Sequence, residues 1–334
     1  MDKSSIRAKL LGADSMPKAV LEHIFDEKYL QIWVPKIYGG LGLNLADGLK
    51  LLRSLSTTDG SFGWMITLCA GANYFSRNLK PELALELFKN KNTCFGGSGF
   101  VGGTAEKIDH HFLIQGNWPY ATGAPHLSHF TLNSVLVENG KPILDLSGNQ
   151  QIYSFIIPRN NVKIIAEWNA MGMKATGTFS FQIENALVDE KYKFLYNEFY
   201  TDSLIDKIPF IIFTDLTLLV NYIGIADHFF EESQKIKPRL NLKKFRQFLS
   251  ENEVIIYQLA EEVEQILKEN KVIDLTKENE IHHFGENLVH QISHQILDIY
   301  IQLGIQASQM HQPIHQVFCD FFTATQHVHF RRHR

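Results

Sequence analysis

The stretch NWPYATGAPH, Asn117 to His126, places Trp118, Pro119, Tyr120 and the pair Thr122-Gly123 side by side. Such residues can build an ordinary turn between two strands. They can also hold something flat and polar, because aromatic rings offer faces while short hydroxyls and backbone N–H groups offer bonds. A second stretch of like texture is WNAMGMKATGT, Trp168 to Thr178. Nine of the 15 histidines lie at or after residue 282. His290 and His294 are one helical turn apart, as are His311 and His315 if that segment is helical, and i, i+4 pairs can chelate zinc. No H-E-x-x-H and no nearby Cys-x-x-Cys accompanies them. The expectation is therefore no metal site, with these imidazoles solvated or packed on helices.

The elements that must position these residues follow from composition and pattern. The chain has 334 residues, 45% hydrophobic and 20% charged, with net charge −4 and pI near 6.4. That is enough for a large core, and it supplies no global basic field for nucleic acid or an anionic membrane. No run of 18 apolar residues is visible, and the first twenty residues lack the apolar stretch of a signal peptide, so neither a membrane span nor export is expected. Cys69, Cys94 and Cys319 are odd in number and far apart, offering no disulfide framework. This suits a reducing, cytoplasmic setting.

Residues 1–92 read as helical, interrupted by the Gly-rich loop VPKIYGGLGLNL. Residues 93–200 carry short β-branched and aromatic runs, HHFLIQG, HFTLNSVLVENG, QIYSFIIP, VKIIAEW and FSFQIENALV, with a hairpin signal at Asn139-Gly140. Residues 201–334 return to helical periodicity in four segments, one of which sets Ile255, Leu259, Val263, Ile266 and Leu267 on one face. Strands segregated from helices argue an α+β fold rather than a doubly wound sheet. Neither G-x-G-x-x-G nor G-x-x-x-x-G-K-S/T occurs.

Five motifs in order carry a family resemblance: Pro35 with Gly39-Gly40; Asp59-Gly60-Ser61 with Trp64; GGSGFVGGTA; the element Gly116, Trp118, Tyr120, Thr122, Gly123; and Trp168, Gly172-Met173-Lys174, Thr176-Gly177-Thr178. The chain resembles the acyl-CoA dehydrogenase superfamily over nearly its full length. It is most similar to the branch of two-component flavin-dependent monooxygenases of the hydroxyphenylacetate hydroxylase type. In that branch a late helix reads P-L-x-R-x-x-R-D-x-x-T-A-x-x-H, which Pro313, Asp320, Thr323, Ala324 and His327 match. The resemblance implies an N-terminal helical domain, a β domain and a C-terminal four-helix bundle. It also implies a flavin, FAD or FMN, supplied reduced by a separate reductase, and a homodimer or homotetramer. Ser98 and Gly99 would touch the flavin's pyrimidine side, and Tyr120 would flank the ring. Ala121, Thr122 and Gly123 would run along the polar edge, with Trp168 and Thr176 behind them. Where the branch often has an aromatic or His in the N-terminal helices facing the flavin, this chain offers Asn73 and Tyr74, a departure from the pattern. His327 would serve the oxygen chemistry or a small aromatic substrate.

The departures decide between branches. Acyl-CoA dehydrogenation needs a carboxylate base. The resemblance places one in a Y-E-G-T segment, absent from this sequence, or ten residues before Gly224, where Thr214 stands; Asp215 is the next residue, turned by roughly 100° on a helix. Oxygenation is therefore the expected chemistry. Acyl-CoA dehydrogenation and a non-catalytic, flavin-binding or flavin-free accessory role are the alternatives. The two arginines of the late helix are Gln316 and Cys319 here, and the R-x-x-F-G segment that grips FAD pyrophosphate is missing.

Overall fold

The structure, a computed structural model, describes residues 1–331 and is mixed α+β. Helices α1 (Lys3–Leu10), α2 (Lys18–Asp26), α3 (Leu45–Ser56), α4 (Gly60–Asn73) and α5 (Pro81–Phe88) come first. Strands β1 (Phe95–Ile108), β2 (His111–Ala121), β3 (His129–Glu138), β4 (Lys141–Pro142), β5 (Ile152–Pro158), β6 (Lys163–Ile165), β7 (Phe179–Asp189) and β8 (Lys193–Phe194) follow. Helices α6 (Phe210–Ile236), α7 (Lys243–Lys268), α8 (Leu275–Leu303) and α9 (Pro313–Ala324) come last.

Local chemistry explains the ends of these helices. Asn44, Asp59 and Asp274 each accept a backbone N–H in the first turn of α3, α4 and α8, while Pro81 and Pro313 start α5 and α9, where a missing N–H costs nothing. Asn139 and Gly140, both at positive φ, turn β3 into β4. The loop glycines act differently from one another: Gly39 sits at φ 87, whereas a Cβ on Gly40 would overlap the Val34 backbone.

One sheet holds the strands in the order β6-β7-β2-β1-β3-β5-β8, with β4 on β3. β1 and β3 run parallel and the other pairs antiparallel. The GGSGFVGGTA segment is part of β1, whose pairing with β3 slips twice between Gly97 and Gly103. Those slips are β-bulges, which re-aim side chains.

Helix α4 is buried nearly all round and touches α3, α6, α9 and β1, so it lies between the sheet and the later helices. Helix α6 is long and apolar enough to cross a membrane by length and composition, at a mean hydropathy of 1.5, but 83% of that window is buried inside the protein. In α7 the inward face differs from the sequence expectation. Ile256, Leu259, Val263 and Leu267 are buried, while Ile255 is exposed and Ile266 only half-buried. His311 precedes α9, which starts at Pro313, so His311 and His315 do not form a pair one helical turn apart.

Candidate active site

The G-x-W-x-Y-x-T-G element is built on a bed of glycines. Trp118 is wholly buried, stacks on Phe181 at 5.4 Å and donates its indole N–H to the Asn133 carbonyl at 2.9 Å. A Cβ on Gly102, Gly103 or Gly116 would come within 2.6, 2.7 and 2.9 Å of the Trp118 ring. Trp118 is therefore a core wedge that fixes the strand; the residues after it do something else.

Pairing of β2 with β7 slips between Trp118 and Ala121, and Tyr120 sits in that slip at φ 65. A left-handed conformation costs a non-glycine residue about 1–2 kcal/mol. Here it throws a ring outward, 60% exposed, beside Phe100, itself 51% exposed, at 6.3 Å between centroids. Ala121 and Thr122 turn inward and are buried. Gly123, at φ 77, has no room for a side chain because Cys69 Sγ of α4 would lie 2.9 Å from its Cβ. Ser98 is buried and its Oγ accepts the Phe100 N–H at 3.3 Å, while Gly99 faces open space and its carbonyl accepts from Asn133 at 2.9 Å.

Thr122, Thr178 and Thr176 form a chain of hydroxyls. The Thr122–Thr178 oxygens are 3.1 Å apart and the Thr178–Thr176 oxygens 2.8 Å apart. The Thr176 hydroxyl donates to the Met173 carbonyl at 2.7 Å, a group that can only accept. That end fixes the sense of the chain: Thr178 donates to Thr176, Thr122 donates to Thr178, and the remaining lone pairs of Thr122 are left to accept. Trp168 converges on the same point, donating its indole N–H to the Met173 carbonyl at 2.9 Å. Trp168 and Thr176 thus close the 168–178 loop behind Thr122, and Thr176 is wholly buried.

The loop is anchored from α9. Asp320 Oδ1 accepts the Met173 backbone N–H at 2.5 Å, and a Cβ on Gly172 would overlap the Cys319 backbone. Burial, and next to it the facing carboxylate of Asp59, hold the Asp320 carboxyl well above the usual carboxylate range. Gln316, which stands where the resemblance puts an arginine, donates to Asp59 Oδ2 at 3.1 Å. Met173 and Asp320 belong to motifs legible in the sequence, but nothing in the sequence joins one to the other.

His327 follows α9 and packs edge-on against Trp64 of α4 at 5.6 Å. Burial lowers its imidazole to about 4. Because α4 carries both Trp64 and Cys69, it touches His327 on one side and the Thr122-Gly123 corner on the other. The structure thus gathers Ser98, Gly99, Tyr120, Ala121, Thr122, Gly123, Trp168 and Thr176 around the β1–β2 bulges and the 168–178 loop, and sets His327 across α4 from them. Asn73 and Tyr74 do not join this group. Asn73 bonds the Leu30 carbonyl and the Phe95 N–H, and Tyr74 donates to the Ile205 carbonyl and stacks on Phe213, so both are spent holding the core.

Two further side chains bear on the chemistry. The Thr214 hydroxyl donates to the Phe210 carbonyl of its own helix at 2.8 Å. Asp215, wholly buried on α6, accepts from His282 Nδ1 at 3.0 Å and His329 Nε2 at 2.5 Å.

No protein-family model matches the chain. Over 209 residues it is 27% identical to an indole-3-acetate monooxygenase of Acinetobacter baumannii, an alignment covering 61% of this chain and 51% of that protein. The chain spans about half the length of the curated relatives it matches. Its fold is that of a 3-HSA hydroxylase from Rhodococcus sp. RHA1, with TM-score 0.88 at 14% identity over 98% of this chain and 90% of the other. It also superposes on XiaF from Streptomyces sp., solved in complex with FADH2 and glycerol, with TM-score 0.84 at 15% identity over 98% and 93% of the two chains.

Proposed function

We propose that the chain is the oxygenase component of a two-component flavin-dependent monooxygenase, with the domain layout of the acyl-CoA dehydrogenase superfamily: 1–92 helical, 93–200 β and 201–334 helical bundle. It takes reduced flavin, FAD or FMN, from a separate reductase and acts on a small aromatic substrate. The observation that carries this reading is the polarity of the Thr122–Thr178–Thr176 chain beside the left-handed, outward Tyr120. A reduced flavin presents an N–H on its central ring, and the chain leaves Thr122 as an acceptor. Tyr120 and Phe100 offer ring faces, and Gly99 leaves backbone open to a pyrimidine edge. The residues therefore fit the group.

When bound, reduced flavin supplies the activation of O2, with one oxygen atom going to substrate and the other leaving as water. The protein's own residues do the rest. Trp118 and its glycines fix the strand, Thr122 orients the flavin's polar edge, and the Trp168–Met173–Thr176 closure keeps bulk water from behind it. His327, buried and held neutral across α4 from these residues, packs on Trp64 and would act on the oxygen chemistry or the substrate from that side. Relatives named for indole-3-acetate and hydroxyphenylacetate oxygenation support an aromatic substrate. We also propose self-association through the bundle, where Leu297 and Ile301 of α8 and Ile305 just beyond its end are exposed.

The test is anaerobic titration with reduced FMN and FAD, followed by oxygenation of a panel of phenols and indoles with NADH and a flavin reductase. Tight binding of reduced flavin and product equal to NADH consumed are expected. No binding of either flavin would sink the reading. A second reading, a flavin-free accessory subunit of the same fold, draws on Gln316 and Cys319 standing where the resemblance puts arginines; it requires that neither flavin bind.

A further inference from the structure

Outside the hydroxyl chain, one cluster of side chains has a composition that the proposed oxygenase reading does not use. Asp215 of α6, His282 of α8 and His329 of the turn Val328–Phe330 bring one carboxylate and two imidazoles together, their donor atoms all within 4.8 Å of one another. Both imidazoles bond the same oxygen, Oδ1, at 3.0 and 2.5 Å. The other oxygen, Oδ2, is buried without a partner. A wholly buried carboxylate oxygen left bare costs about 1–3 kcal/mol or more, so two hydrogen bonds do not account for the cluster.

We propose that Asp215, His282 and His329 bind a divalent transition-metal ion of the zinc or ferrous class. Two imidazoles and a carboxylate, with one or more positions open, are a ligand set that both ions take. Bonds of about 2.0–2.1 Å around a tetrahedral ion put ligand atoms about 3.3 Å apart, so the nitrogens need move by less than about 1 Å from where they sit.

The rings are already held. His282 lies parallel to Phe330 at 5.6 Å and edge-on to His329 at 5.3 Å. Gly285 of α8 lets this happen: a Cβ there would sit 2.8 Å from Phe330 Cζ and push the turn away. The Asp215 side chain is fully buried, that of His329 14% exposed and that of His282 28% exposed, so an ion has an entry on the His282 side. The ion would tie α6, α8 and the 328–330 turn together, and through that turn the position of His327. This site is independent of flavin.

The nearest competitor is the His290/His294 pair of the same helix, whose Nε2 atoms are 3.1 Å apart on the surface. The test therefore titrates chelator-stripped protein with zinc sulfate, and anaerobically with ferrous ion, against a chromophoric chelator. It compares wild type, His290→Asn/His294→Asn, His282→Gln and His329→Gln. One equivalent per chain is expected, unchanged in the double variant, weakened about 100-fold in each of the other two, and raising the Tm of the wild type. Far-UV circular dichroism checks folding. Should His329→Gln unfold, His282→Gln on the open side decides. No stoichiometric binding, binding lost with His290 and His294, or binding indifferent to His282→Gln would each overturn the proposal.

Discussion

Asp320 holds the backbone N–H of Met173 at 2.5 Å, across 147 positions of sequence. That bond joins the late helix to the loop whose Met173 carbonyl receives both Trp168 and Thr176. It makes the Asp of one motif the support of another. Replacing Asp320 by Ala strips a buried N–H of its partner and is expected to cost about 1–3 kcal/mol in urea unfolding and to weaken flavin binding. Asp320→Asn keeps an acceptor and should lose much less. Equal losses in the two variants would show that the bond to Met173 does not matter.

The same carboxyl sets a pH dependence. Burial, then Asp59, raise Asp320 above its ordinary 3.8. A raised folded value means the ionised form is disfavoured in the fold. Stability is then fullest below the unfolded value and falls as pH rises through the folded one. Between its unfolded and folded values, the stability of wild type relative to Asp320→Asn should decline as pH rises, while the buried His327, lowered to about 4, adds a slope of opposite sign to both proteins. A slope unchanged by the substitution would move its origin elsewhere.

Tyr120 lets stability and binding be separated. Its left-handed backbone suits glycine, so Tyr120→Gly is expected to stabilise the chain by about 1 kcal/mol, while removing the ring should weaken binding of reduced flavin. Thr122→Val should weaken flavin binding with a stability loss of about 1 kcal/mol, the worth of one hydrogen bond. Flavin titrations and thermal unfolding read the two effects apart. If Tyr120→Gly is stabilised yet binds flavin as before, the ring does not flank the cofactor.

How much of this the sequence shows follows from the range of each interaction. β2, β3, β5, β6 and β7 are legible because alternation is local, and Asn139-Gly140 marks its own turn. The inward face of α7 drifts by one residue from Ile255 to Ile256, since 3.6 residues per turn leaves a neighbour only about 100° away. Tyr120, Thr122 and Thr176 are legible as motif members, but the sense of their hydroxyl chain depends on the Met173 carbonyl, which no side-chain pattern announces. Asn73 and Tyr74 show the converse, polar groups in a plausible place that the backbone claims for itself. Asp215, His282 and His329 are 67 and 114 positions apart, whereas the expectation of no metal rests on pairs four residues apart.

Gly285 is the hinge on which the last turn docks. Alanine is favoured over glycine by about 1 kcal/mol inside an exposed helix. Here its Cβ would meet Phe330, so Gly285→Ala is expected to destabilise by about 1–3 kcal/mol instead. Displacing Phe330 should also shift His327 and lower turnover. A variant more stable than wild type would mean that the turn is not packed on α8.

Acyl-CoA dehydrogenation is expected to be absent. Its base, from the helix that α6 corresponds to, would be Thr214 or the adjacent Asp215. The Thr214 hydroxyl is turned back onto the Phe210 carbonyl, and a hydroxyl is a poor proton acceptor at neutral pH. Asp215 points into His282 and His329, with no exposure through which an α-proton could be reached. Loss of a general base removes about 10²–10⁴-fold in rate. Flavin-loaded protein mixed anaerobically with acyl-CoAs of several chain lengths should stay oxidised. Rapid bleaching that Asp215→Asn abolishes would assign Asp215 to the reaction and exchange the oxygenase reading for the dehydrogenase one.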